Sequence, residues 1–544
     1  MPKFVRPRGI LEGKSARKAA GNKTPISIDL SENIKRIRQV CGPDNVDIII
    51  RQFRIPVSRG FMAALFYVEG LADRQTLNLS IIQPLQLLSA RCFLPADLTT
   101  KVDSHNIIDY LINHLLANAQ VKRIDSFEEM IKLVMTGESA ILIDGVSEAI
   151  LTDVKGWVNR GVEEPQGEVT IRGPREGFSE VLRYNTALLR RRIRHPGLRM
   201  DPMKVGTMSE TDVFVVYIEG LTNRRLVEEA KRRISQIDID YLPEAGYIEQ
   251  FIEDNPWSPF PQVLTTERPD RLAAALCEGQ IGILVDGTPI ALIMPSFITD
   301  IYESTEDYYE RFLFGTARRI LRLGSVIVSL LLPAVYIAIV TFHQEMIPTS
   351  LALAFASARQ RVPFPALVEA LLMELALELI REAGIRLPSP VGQTVGIVGA
   401  LLVGDAAVKA NLVSPIMVIV VALTALASFA TPYHSGGMAI RLLRFPLMMV
   451  AAVVGLYGVA TGIIAIAIHL TLLTSLGVPY LSPFLSEPYD YKDVVVRAPL
   501  WMMRFRPRYL RPYKLRRQEP PNKANQRRAG DTGSETRTPE HQPT

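Results

Sequence analysis

The chain contains little cysteine and none of the common catalytic signatures. Its three cysteines, Cys41, Cys92 and Cys277, have no metal-ligand spacing and form an odd set. Neither a zinc module nor a disulfide framework is therefore expected, and a reducing compartment fits best. The HExxH, GxSxG and GxGxxG patterns of metalloproteases, serine hydrolases and dinucleotide-binding enzymes are all missing. The sequence predicts no enzyme, no cofactor and no metal site.

The N-terminal residues lack the features of a targeting or phosphate-binding segment. Residues 1–33 are basic and contain no apolar stretch of the kind that a secretory signal peptide needs. Gly9-Ile-Leu-Glu-Gly13-Lys14-Ser15 resembles a phosphate loop, but it is one residue short between its glycines and no strand precedes it. We interpret residues 1–33 as a disordered basic tail.

A large excess of one charge sign is also missing. The chain has 61 Lys and Arg against 56 Asp and Glu, a net charge of +5, which gives no reason to expect nucleic-acid binding. The charges are unevenly placed, because residues 323–480 contain only 13 of them, about 8% of that stretch, against about 27% elsewhere. One part of the chain is therefore suited to lipid and the rest to water.

The water-suited half contains two pairs of similar peptides. Tyr67-Val-Glu-Gly-Leu-Ala-Asp-Arg74 recurs as Tyr217-Ile-Glu-Gly-Leu-Thr-Asn-Arg224. Gly137-Glu-Ser-Ala-Ile-Leu-Ile-Asp-Gly145 recurs as Gly279-Gln-Ile-Gly-Ile-Leu-Val-Asp-Gly287. The offsets of 150 and 142 residues are nearly equal, so the peptides keep their order and spacing. This pattern predicts two related α/β subdomains, the second a repeat of the first.

Each copy also predicts a β-hairpin. Asp144-Gly145 and Asp286-Gly287 each stand between two apolar runs. Asp-Gly in this position is a strong hairpin signal, because the turn requires positive φ at its central residues. Helical patterns at 128–135 and 270–276 precede the two hairpins.

Three apolar stretches predict membrane-spanning helices. Residues 323–342, with Pro333 near the middle, are long enough to cross a bilayer as a kinked helix. Residues 412–430 form a second span, and 445–476 a third that is long enough to tilt or break. Two weaker stretches, 364–380 and 391–404, fit a short span, a re-entrant hairpin or an interfacial helix. We expect four or five crossings.

Basic segments indicate the orientation. Residues 494–518 hold eight basic residues and no acid, with Trp501, Phe505 and Tyr509 between them. Beside a membrane domain this composition favours a juxtamembrane segment at the lipids of the cytoplasmic face over an RNA-binding segment. The run Arg190-Arg191-Arg192-Ile193-Arg194 is interpreted as a solvated or lipid-facing helix face rather than a ligand site.

These patterns predict an α+β cytoplasmic region of two related α/β subdomains, followed by an all-α multispanning membrane domain. The final residues are polar and should be disordered. The predicted domains are a basic tail (1–33), the first α/β subdomain (34–165), its repeat (166–318), a membrane domain (319–480), and a polybasic segment with a disordered tail (481–544).

Charged residues inside the apolar half are the main candidate functional residues. Glu369, Glu374, Glu378 and Glu382 lie on one helix-like stretch, where Glu374, Glu378, Arg381 and Glu382 share a face and Glu369 is roughly opposite Glu378. A carboxylate facing lipid costs about 3 kcal/mol, so these acids should face water, a partner subunit or a basic partner. From the residues alone, a row of acids lining a cation pathway and an amphipathic helix at the membrane interface remain equally open.

Two further sets of charged residues are candidates. Asp405 and Lys409 stand at i and i+4 between apolar runs, so they predict a local ion pair that lets both be buried, with a permeation role as the alternative. Arg172, Arg175 and Glu176 surround a Gly-Pro turn. Inter-domain salt bridges are the commoner explanation for such arginines, and an anion site is the alternative.

The seven histidines have no ligand spacing. His434, which precedes Ser435-Gly436-Gly437, is predicted to lie in a polar loop. His469 lies on an apolar stretch, where we expect an interhelical hydrogen bond rather than a proton relay.

Long patterns across residues 30–510 resemble one known family. The patterns that carry the resemblance are Glu164-Pro165, Ile171-Arg-Gly-Pro-Arg-Glu-Gly-Phe178, Leu188-Leu-Arg-Arg-Arg-Ile193, Pro363-Phe-Pro-Ala-Leu-Val-Glu-Ala-Leu-Leu-Met-Glu374, Arg381-Glu-Ala-Gly-Ile-Arg-Leu-Pro388, Gly392-Gln-Thr-Val-Gly396, Leu412-Val-Ser-Pro415, Ile440-Arg-Leu-Leu-Arg-Phe-Pro446 and Gly477-Val-Pro-Tyr-Leu-Ser-Pro-Phe484. With these patterns, the sequence is similar to the A subunits of the GerA-type nutrient germinant receptors of endospore-forming bacteria.

The resemblance implies a protein of the spore inner membrane that works with two partners. One is a transporter-like B subunit thought to bind the nutrient, and the other is a C subunit, a lipoprotein on the outer face. The A subunit is then expected to form a homo-oligomeric channel that releases monovalent cations and starts germination. With that implication, the cation-pathway interpretation of the acidic helix is favoured.

One departure from the family and several alternatives remain. Relatives usually have Gly-Gln-Ala-Ala-Val-Glu-Ala where this chain has Gly404-Asp-Ala-Ala-Val-Lys-Ala410, which introduces the opposite-charge pair described above. A paralogous accessory channel subunit of germination is one alternative. A stand-alone secondary transporter using the Gly/Pro-rich residues 387–404 is another, although no inverted repeat is visible. A scaffold that clusters other receptors is a third.

Overall fold

The computed structural model describes two α/β units followed by a helical region. The described residues are 24–56, 60–88, 104–156, 165, 168, 170, 172–386, 404–485 and 493–518. The predictions for residues 1–23, for Cys92, for 391–403 and for 519–544 lie outside them. The protein therefore has an α/β N-terminal region with antiparallel sheets and a helical C-terminal part.

The first unit is a five-stranded antiparallel sheet with order β1-β2-β4-β5-β3. Strand β4 is buried along its whole length, because apolar side chains cover both faces of the sheet. Its strands are β1 (Ile48–Ile55), β2 (Phe61–Val68), β3 (Val121–Ile124), β4 (Glu138–Ile143) and β5 (Ala149–Asp153). Its helices are α1 (Leu30–Cys41), α2 (Arg74–Leu77), α3 (Ser104–Tyr110) and α4 (Phe127–Val134), with π-helical turns at Asn78–Ile82, Pro84–Leu88 and Leu111–Leu115.

The second unit has a sheet with the corresponding order, β6-β7-β9-β10-β8, again fully antiparallel. Its strands are β6 (Leu198–Val205), β7 (Thr211–Ile218), β8 (Leu264–Thr266), β9 (Ile281–Val285) and β10 (Ala291–Met294). Its helices are α5 (Leu182–Arg192), α6 (Arg224–Ser235), α7 (Ala245–Ile252) and α8 (Pro269–Glu278). The peptides that recur in the sequence occupy equivalent positions in the two sheets.

Both predicted hairpins are confirmed, but the predicted turn with positive φ at both central residues is not. Gly145 and Gly287 have φ of +86° and +87°, whereas Asp144 and Asp286 do not have positive φ, and five residues (144–148 and 286–290) separate the strands of each hairpin. Each turn also anchors a helix. Asp144 Oδ1 accepts the backbone N–H of Leu30 (3.2 Å), at the start of α1, and Asp286 Oδ1 accepts that of Leu182 (3.0 Å), at the start of α5. The same Asp-Gly pair therefore closes a hairpin and fixes a helix in each unit.

The two units are joined through Arg190, which corrects one sequence prediction. The run 190–194 was interpreted as a solvated or lipid-facing face, but Arg190 is fully buried. Its Nη2 donates to Asp47 Oδ1 (3.0 Å) and to the carbonyl of Leu198 (2.9 Å), and its Nε donates to Asp47 Oδ2. Asp47 belongs to the first unit, so the guanidinium ties the first unit to the second.

The helical region packs around one long helix. The chain enters this region through α9 (Glu306–Tyr309) and α10 (Phe312–Phe342). The helices that follow are α11 (Thr349–Arg359), α12 (Ala366–Arg386), α13 (Pro415–Phe429), α14 (His434–Val454), α15 (Leu456–Leu472) and α16 (Ser482–Leu485). Helix α10 contacts α12, α13, α14 and α15. Among the described residues, α10 and α14 are long and apolar enough to cross a membrane.

The predicted spans differ from the observed helices at their ends. Helix α10 begins eleven residues before the predicted 323, because arginines end an apolar run without ending a helix. The stretch 445–476 is broken at Gly455 (φ +68°), where α14 ends and α15 begins. A Cβ at Gly455 would lie 2.8 Å from His343 Cε1, so the break is tightly packed. The number of membrane crossings stays a prediction.

The structure differs from both histidine predictions. His434 is the first residue of α14 rather than part of a loop. The glycine that suggested a loop, Gly436, allows close helix packing instead, because a Cβ there would lie 2.9 Å from Ile301 Cγ1. His469 is hydrogen-bonded, but the bond is not between helices, because its Nε2 pairs with Ser258 Oγ (2.8 Å), which lies outside the helices of the second α/β unit.

The polybasic segment packs back onto the second unit. Arg506 Nε donates to the carbonyl of Cys277 (2.6 Å), and Arg517 Nη2 lies 2.5 Å from Glu278 Oε2, both at the end of α8. The backbone N–H of Tyr513 donates to the carbonyl of Leu221 (2.9 Å). Part of the basic charge that the sequence assigned to lipid is therefore used within the protein.

Candidate functional site in the helical region

Helix α12 carries the row of carboxylates that the sequence singled out. Its sequence, ALVEALLMELALELIREAGIR, is dominated by Ala, Leu, Glu and Met, which are strong helix formers. The helix packs against α10, α13 and α14. It therefore places acids among apolar helices, where each acid needs a partner.

Glu369 faces the start of α13. Its side chain is fully buried, and its Oε2 accepts the backbone N–H of Ser414 (2.9 Å), which precedes α13. Arg359, at the end of α11, lies 3.3 Å from Glu369 Oε1. A carboxylate is favourable at a helix N-terminus, because the first N–H groups have no partner within the helix. Glu369 thus holds α11, α12 and α13 together.

Glu374 faces α14 and α10. Arg444 Nη1 donates to Glu374 Oε2 (2.5 Å), and both side chains are almost completely buried. The same guanidinium donates to the carbonyl of Ser329 (2.8 Å) and to its Oγ (2.8 Å) on α10. The second carboxylate oxygen, Glu374 Oε1, has no hydrogen-bond partner. The pair therefore connects three helices while leaving one acceptor unused.

Glu378 belongs to a more open cluster one turn further along α12. Arg381 Nη1 donates to Glu378 Oε1 (3.0 Å), and Arg441 of α14 lies 3.6 Å from Glu378 Oε2. Arg381 also donates to Ser428 Oγ (3.0 Å) and stacks over the ring of Phe429 at 5.0 Å. One third of the Glu378 side chain is exposed, so water reaches this carboxylate.

The remaining sequence candidates in this region are exposed. Glu382 lies on the surface of α12. Asp405 and Lys409 form the predicted ion pair at 2.5 Å. We expected both side chains to be buried. This was wrong for the single chain, because the side chains of Asp405 and Lys409 are 56% and 74% exposed on a short helical turn.

One candidate beside the Gly-Pro turn pairs within its own unit. Glu176 lies 3.2 Å from Arg191 and 2.9 Å from Arg192, both on α5 of the same unit. Arg172 and Arg175 are exposed. Salt bridges between the two units are formed by Arg190 with Asp47 and by Arg183 with Glu69 (3.0 Å), so the type of interaction was predicted but these residues were not.

Sequence reasoning missed a buried ion cluster where α10 begins. Arg319 is fully buried, and its Nη1 donates to Asp493 Oδ1 (3.0 Å) of the C-terminal segment. Arg322 Nη1 donates to both oxygens of buried Asp307 (2.9 and 2.8 Å). These arginines directly precede the predicted span 323–342, and nothing in the sequence indicated that they are buried. Glu303, Glu306, Asp307 and Glu310 lie before them in the chain, but their spacing did not show which acid would pair with which arginine.

The arrangement offers carboxylate oxygens in an apolar bundle. Among the described residues, no group of three or more His, Cys, Asp or Glu is arranged to hold a metal ion. Glu369, Glu374 and Glu378 each face an arginine, which is one of the three environments expected for them. The chemistry available is therefore the binding of cations or of arginine.

Comparison with known proteins finds extended similarity. The chain is 43% identical over 485 residues to Spore germination protein KA of Bacillus subtilis (strain 168), covering 89% of this chain and 87% of that protein. It is 42% identical to Spore germination protein GerLA of Bacillus cereus, covering 89% and 96%. It is also 42% identical to the uncharacterized membrane protein YfkQ of Bacillus subtilis (strain 168), covering 89% and 91%.

A solved structure and a family model also match. The structure is the N-terminal domain of the A subunit of the Bacillus megaterium spore germinant receptor GerK3, with 32% identity and a TM-score of 0.39, covering 51% of this chain and 99% of that one. The family model is described as Bacillus/Clostridium GerA spore germination protein, and it matches residues 35–509. The chain therefore belongs to the GerA family of spore germination proteins.

Proposed function

We propose that this chain is the A subunit of a nutrient germinant receptor and forms an oligomeric cation channel in the spore inner membrane. Family membership and the relatives' names support a role in spore germination. In the proposed complex, several copies surround a pore that passes monovalent cations. A transporter-like B subunit binds the nutrient, and a lipoprotein C subunit completes the receptor.

The observation that carries the proposal is the row of carboxylates on α12. A bundle needs no such acids for stability, because replacing buried ion pairs by apolar side chains is often neutral or stabilising. Acids inside apolar bundles usually mark ion pathways, where rings of Asp or Glu concentrate cations. Glu378 and Glu382 reach water in the protomer, so they are the first candidates for the pathway. Glu369 and Glu374 support the same helix from inside.

The arginine pairs favour a resting conformation in this proposal. With Arg381 and Arg441 beside it, Glu378 is largely neutralised and attracts cations weakly. Opening would separate Glu378 from Arg441, which lies on a different helix. Nutrient occupancy of the B subunit would favour opening by binding the open state more tightly than the closed one.

The buried ion cluster at the start of α10 connects the α/β units to this helix. Asp307 holds Arg322, and Asp493 holds Arg319, so a movement of the second unit would pull on the first turns of α10. The two α/β units and the polybasic segment are placed on the cytoplasmic side, where anionic lipids attract arginine and lysine. Asp405 and Lys409 are exposed in the protomer, which leaves them available at a subunit contact.

The test is cation flux through the chain reconstituted with its receptor partners. The double variant Glu378→Gln/Glu382→Gln should lower nutrient-triggered potassium flux at least tenfold and slow germination. Glu345→Gln, an exposed glutamate of the same region, is the matched control and should change neither. Unchanged flux in a normally assembled double variant would contradict the channel assignment of α12.

A further inference from the structure

A cavity of about 350 Å³ lies outside the helical bundle, between the second α/β unit and the C-terminal segment. Three parts of the chain line it: helix α8, the connection 296–309, and residues 493–517. This volume is at the small end of the ~300–1,000 Å³ that ligand pockets occupy. Neither the carboxylate row nor the ion pairs at the start of α10 require an open space here.

One wall of the cavity is apolar and aromatic. Phe297 and Tyr509 meet edge to face, with ring centroids 4.8 Å apart. The lining also includes Leu264, Ile293, Met503 and Tyr308. The wall suits a flat or branched apolar group, and aromatic faces also attract a cation.

Four carboxylates also line the cavity, those of Glu278, Asp300, Glu303 and Asp493. Two of them are well satisfied: Asp300 accepts from the Phe297 backbone N–H (2.8 Å) and Ser296 Oγ (3.0 Å), and Asp493 accepts from Tyr308 (2.7 Å) and Arg319 (3.0 Å). Glu303 lies 3.5 Å from Arg319 Nη1, longer than the ~2.8 Å of a charge-assisted hydrogen bond. Glu303 therefore has acceptor capacity to offer a ligand.

Three arginines line the cavity, Arg271, Arg504 and Arg517. Arg271 lies 3.0 Å from Glu168, and Arg517 lies 2.5 Å from Glu278. These two guanidinium groups already have a carboxylate, and Arg504 is exposed. The carboxylates of the lining outnumber its arginines, which favours a cationic ligand over an anionic one.

Burial raises the pKa of Asp300, Glu303 and Asp493. Within the cavity the negative charge is therefore incompletely balanced, and an added cation would stabilise it. The charged and titratable groups that face Glu303 are Arg319 from α10, Asp493 from the C-terminal segment, and Asp300, Tyr302, Asp307 and Tyr308 from the connection.

We propose that this cavity binds a small organic cation, a protonated amine attached to an apolar or aromatic body. The ammonium group would be held by Glu303, and the body would lie against Phe297 and Tyr509. Because Arg319 contacts both Glu303 and Asp493, such a ligand would act directly on the first turns of α10. The site is separate from the α12 acids and does not depend on cation conduction.

The test uses three probes of one shape with the full chain in lipid nanodiscs. Benzylamine carries a positive charge at neutral pH, benzyl alcohol is neutral, and benzoate is negative. Isothermal titration should give benzylamine at least tenfold tighter binding than benzyl alcohol, and no binding of benzoate. Equal binding of amine and alcohol, preferred binding of benzoate, or no binding of benzylamine would each overturn the proposal.

Variants test where benzylamine binds and control for misfolding. Glu303→Gln should weaken benzylamine binding at least tenfold and leave benzyl alcohol unchanged, whereas Glu228→Gln, an exposed pair member of the same unit, should change neither. Ala274→Phe places a ring at the exposed edge of the cavity and should abolish benzylamine binding without burying a new charge. If Glu303→Gln fails to fold, binding retained in Ala274→Phe would overturn the proposal and binding lost would support it.

The pH dependence gives a readout that a purely structural role of Glu303 would not produce. The ammonium pairs with the ionised carboxylate, and burial raises the pKa of Glu303, so protonation of this carboxylate competes with amine binding. Benzylamine affinity should therefore rise as pH increases, with proton release on binding, as long as the amine stays protonated. An affinity that is flat with pH would contradict the role of Glu303.

Discussion

The buried ion pair that joins the two α/β units and the buried acids of the helical bundle differ in how fully they are hydrogen-bonded. At the junction of the two α/β units, both oxygens of Asp47 are bound by Arg190, and the guanidinium also reaches two backbone carbonyls. In the helical bundle, Glu369 and Glu374 each keep one buried oxygen without a hydrogen-bond partner. In the first arrangement, both carboxylate oxygens have hydrogen-bond donors, so the pair is saturated and fixes one geometry. In the second, the unpartnered oxygens can accept hydrogen bonds in a changed conformation.

The largest expected effect is the loss of the saturated pair. Asp47→Ala should lower the free energy of unfolding by about 3–5 kcal/mol, because it leaves Arg190 buried and uncompensated. Urea unfolding of the purified chain measures this change. Glu210→Ala removes an exposed pair with Lys204 and should cost less than about 1 kcal/mol. A loss below 1 kcal/mol for Asp47→Ala would mean that the junction is not saturated.

A second prediction concerns a carboxylate of the α/β part with no arginine beside it. Burial, with Glu253 and Glu244 nearby, raises the pKa of Glu249 from 4.5 to about 7. The folded state then prefers the protonated acid, so its contribution is present below the unfolded pKa and is lost as pH rises through about 7. Glu249→Gln should therefore unfold at the same temperature as the wild type at pH 4.

At pH 8 the same variant should be more stable than the wild type by about 1–2 kcal/mol, allowing for partial exposure of the side chain. Thermal unfolding of both proteins across this pH range measures the difference, and other titrating groups cancel. A variant that is less stable than the wild type at pH 8 would show that the ionised carboxylate has a partner in the folded protein.

The smallest expected effect is in the helical bundle. Glu374→Gln keeps an acceptor for Arg444 and removes only the charge of a carboxylate that has one hydrogen-bonded oxygen. It should therefore lower the free energy of unfolding by about 1 kcal/mol. Asp47→Asn, the matched change at the saturated pair, should cost about twice as much, because the amide nitrogen cannot accept from Arg190. Equal costs in urea unfolding would remove the contrast between the two regions.

Local patterns in the sequence predicted much of the α/β part. The Asp-Gly pairs placed both hairpins, because glycine readily takes the positive φ that each turn uses. The apolar periodicity before them placed α4 and α8 within one or two residues at their starts. The shared strand order could not be read from the peptides, since it depends on pairing between distant strands.

The partners of charged side chains were the main thing that sequence could not supply. Arg190 is 143 residues from Asp47, and Arg319 is 174 residues from Asp493, so no spacing links them. On α12 the sequence located the acids and their faces, but not Arg359 or Arg444 as their partners. A glycine pair similarly suggested a loop at His434, where the structure uses Gly436 for close packing.

The most direct test of the central claim, that accessible acids of α12 line a cation pathway, is chemical modification during conduction. Glu378→Cys and Glu374→Cys would be made in a chain whose own cysteines are replaced, and treated with a positively charged, water-soluble thiol reagent. The account predicts that nutrient-triggered potassium flux is blocked in Glu378→Cys, and that resting Glu374→Cys does not react because position 374 is buried. Flux that continues unchanged after complete modification at 378 would contradict it.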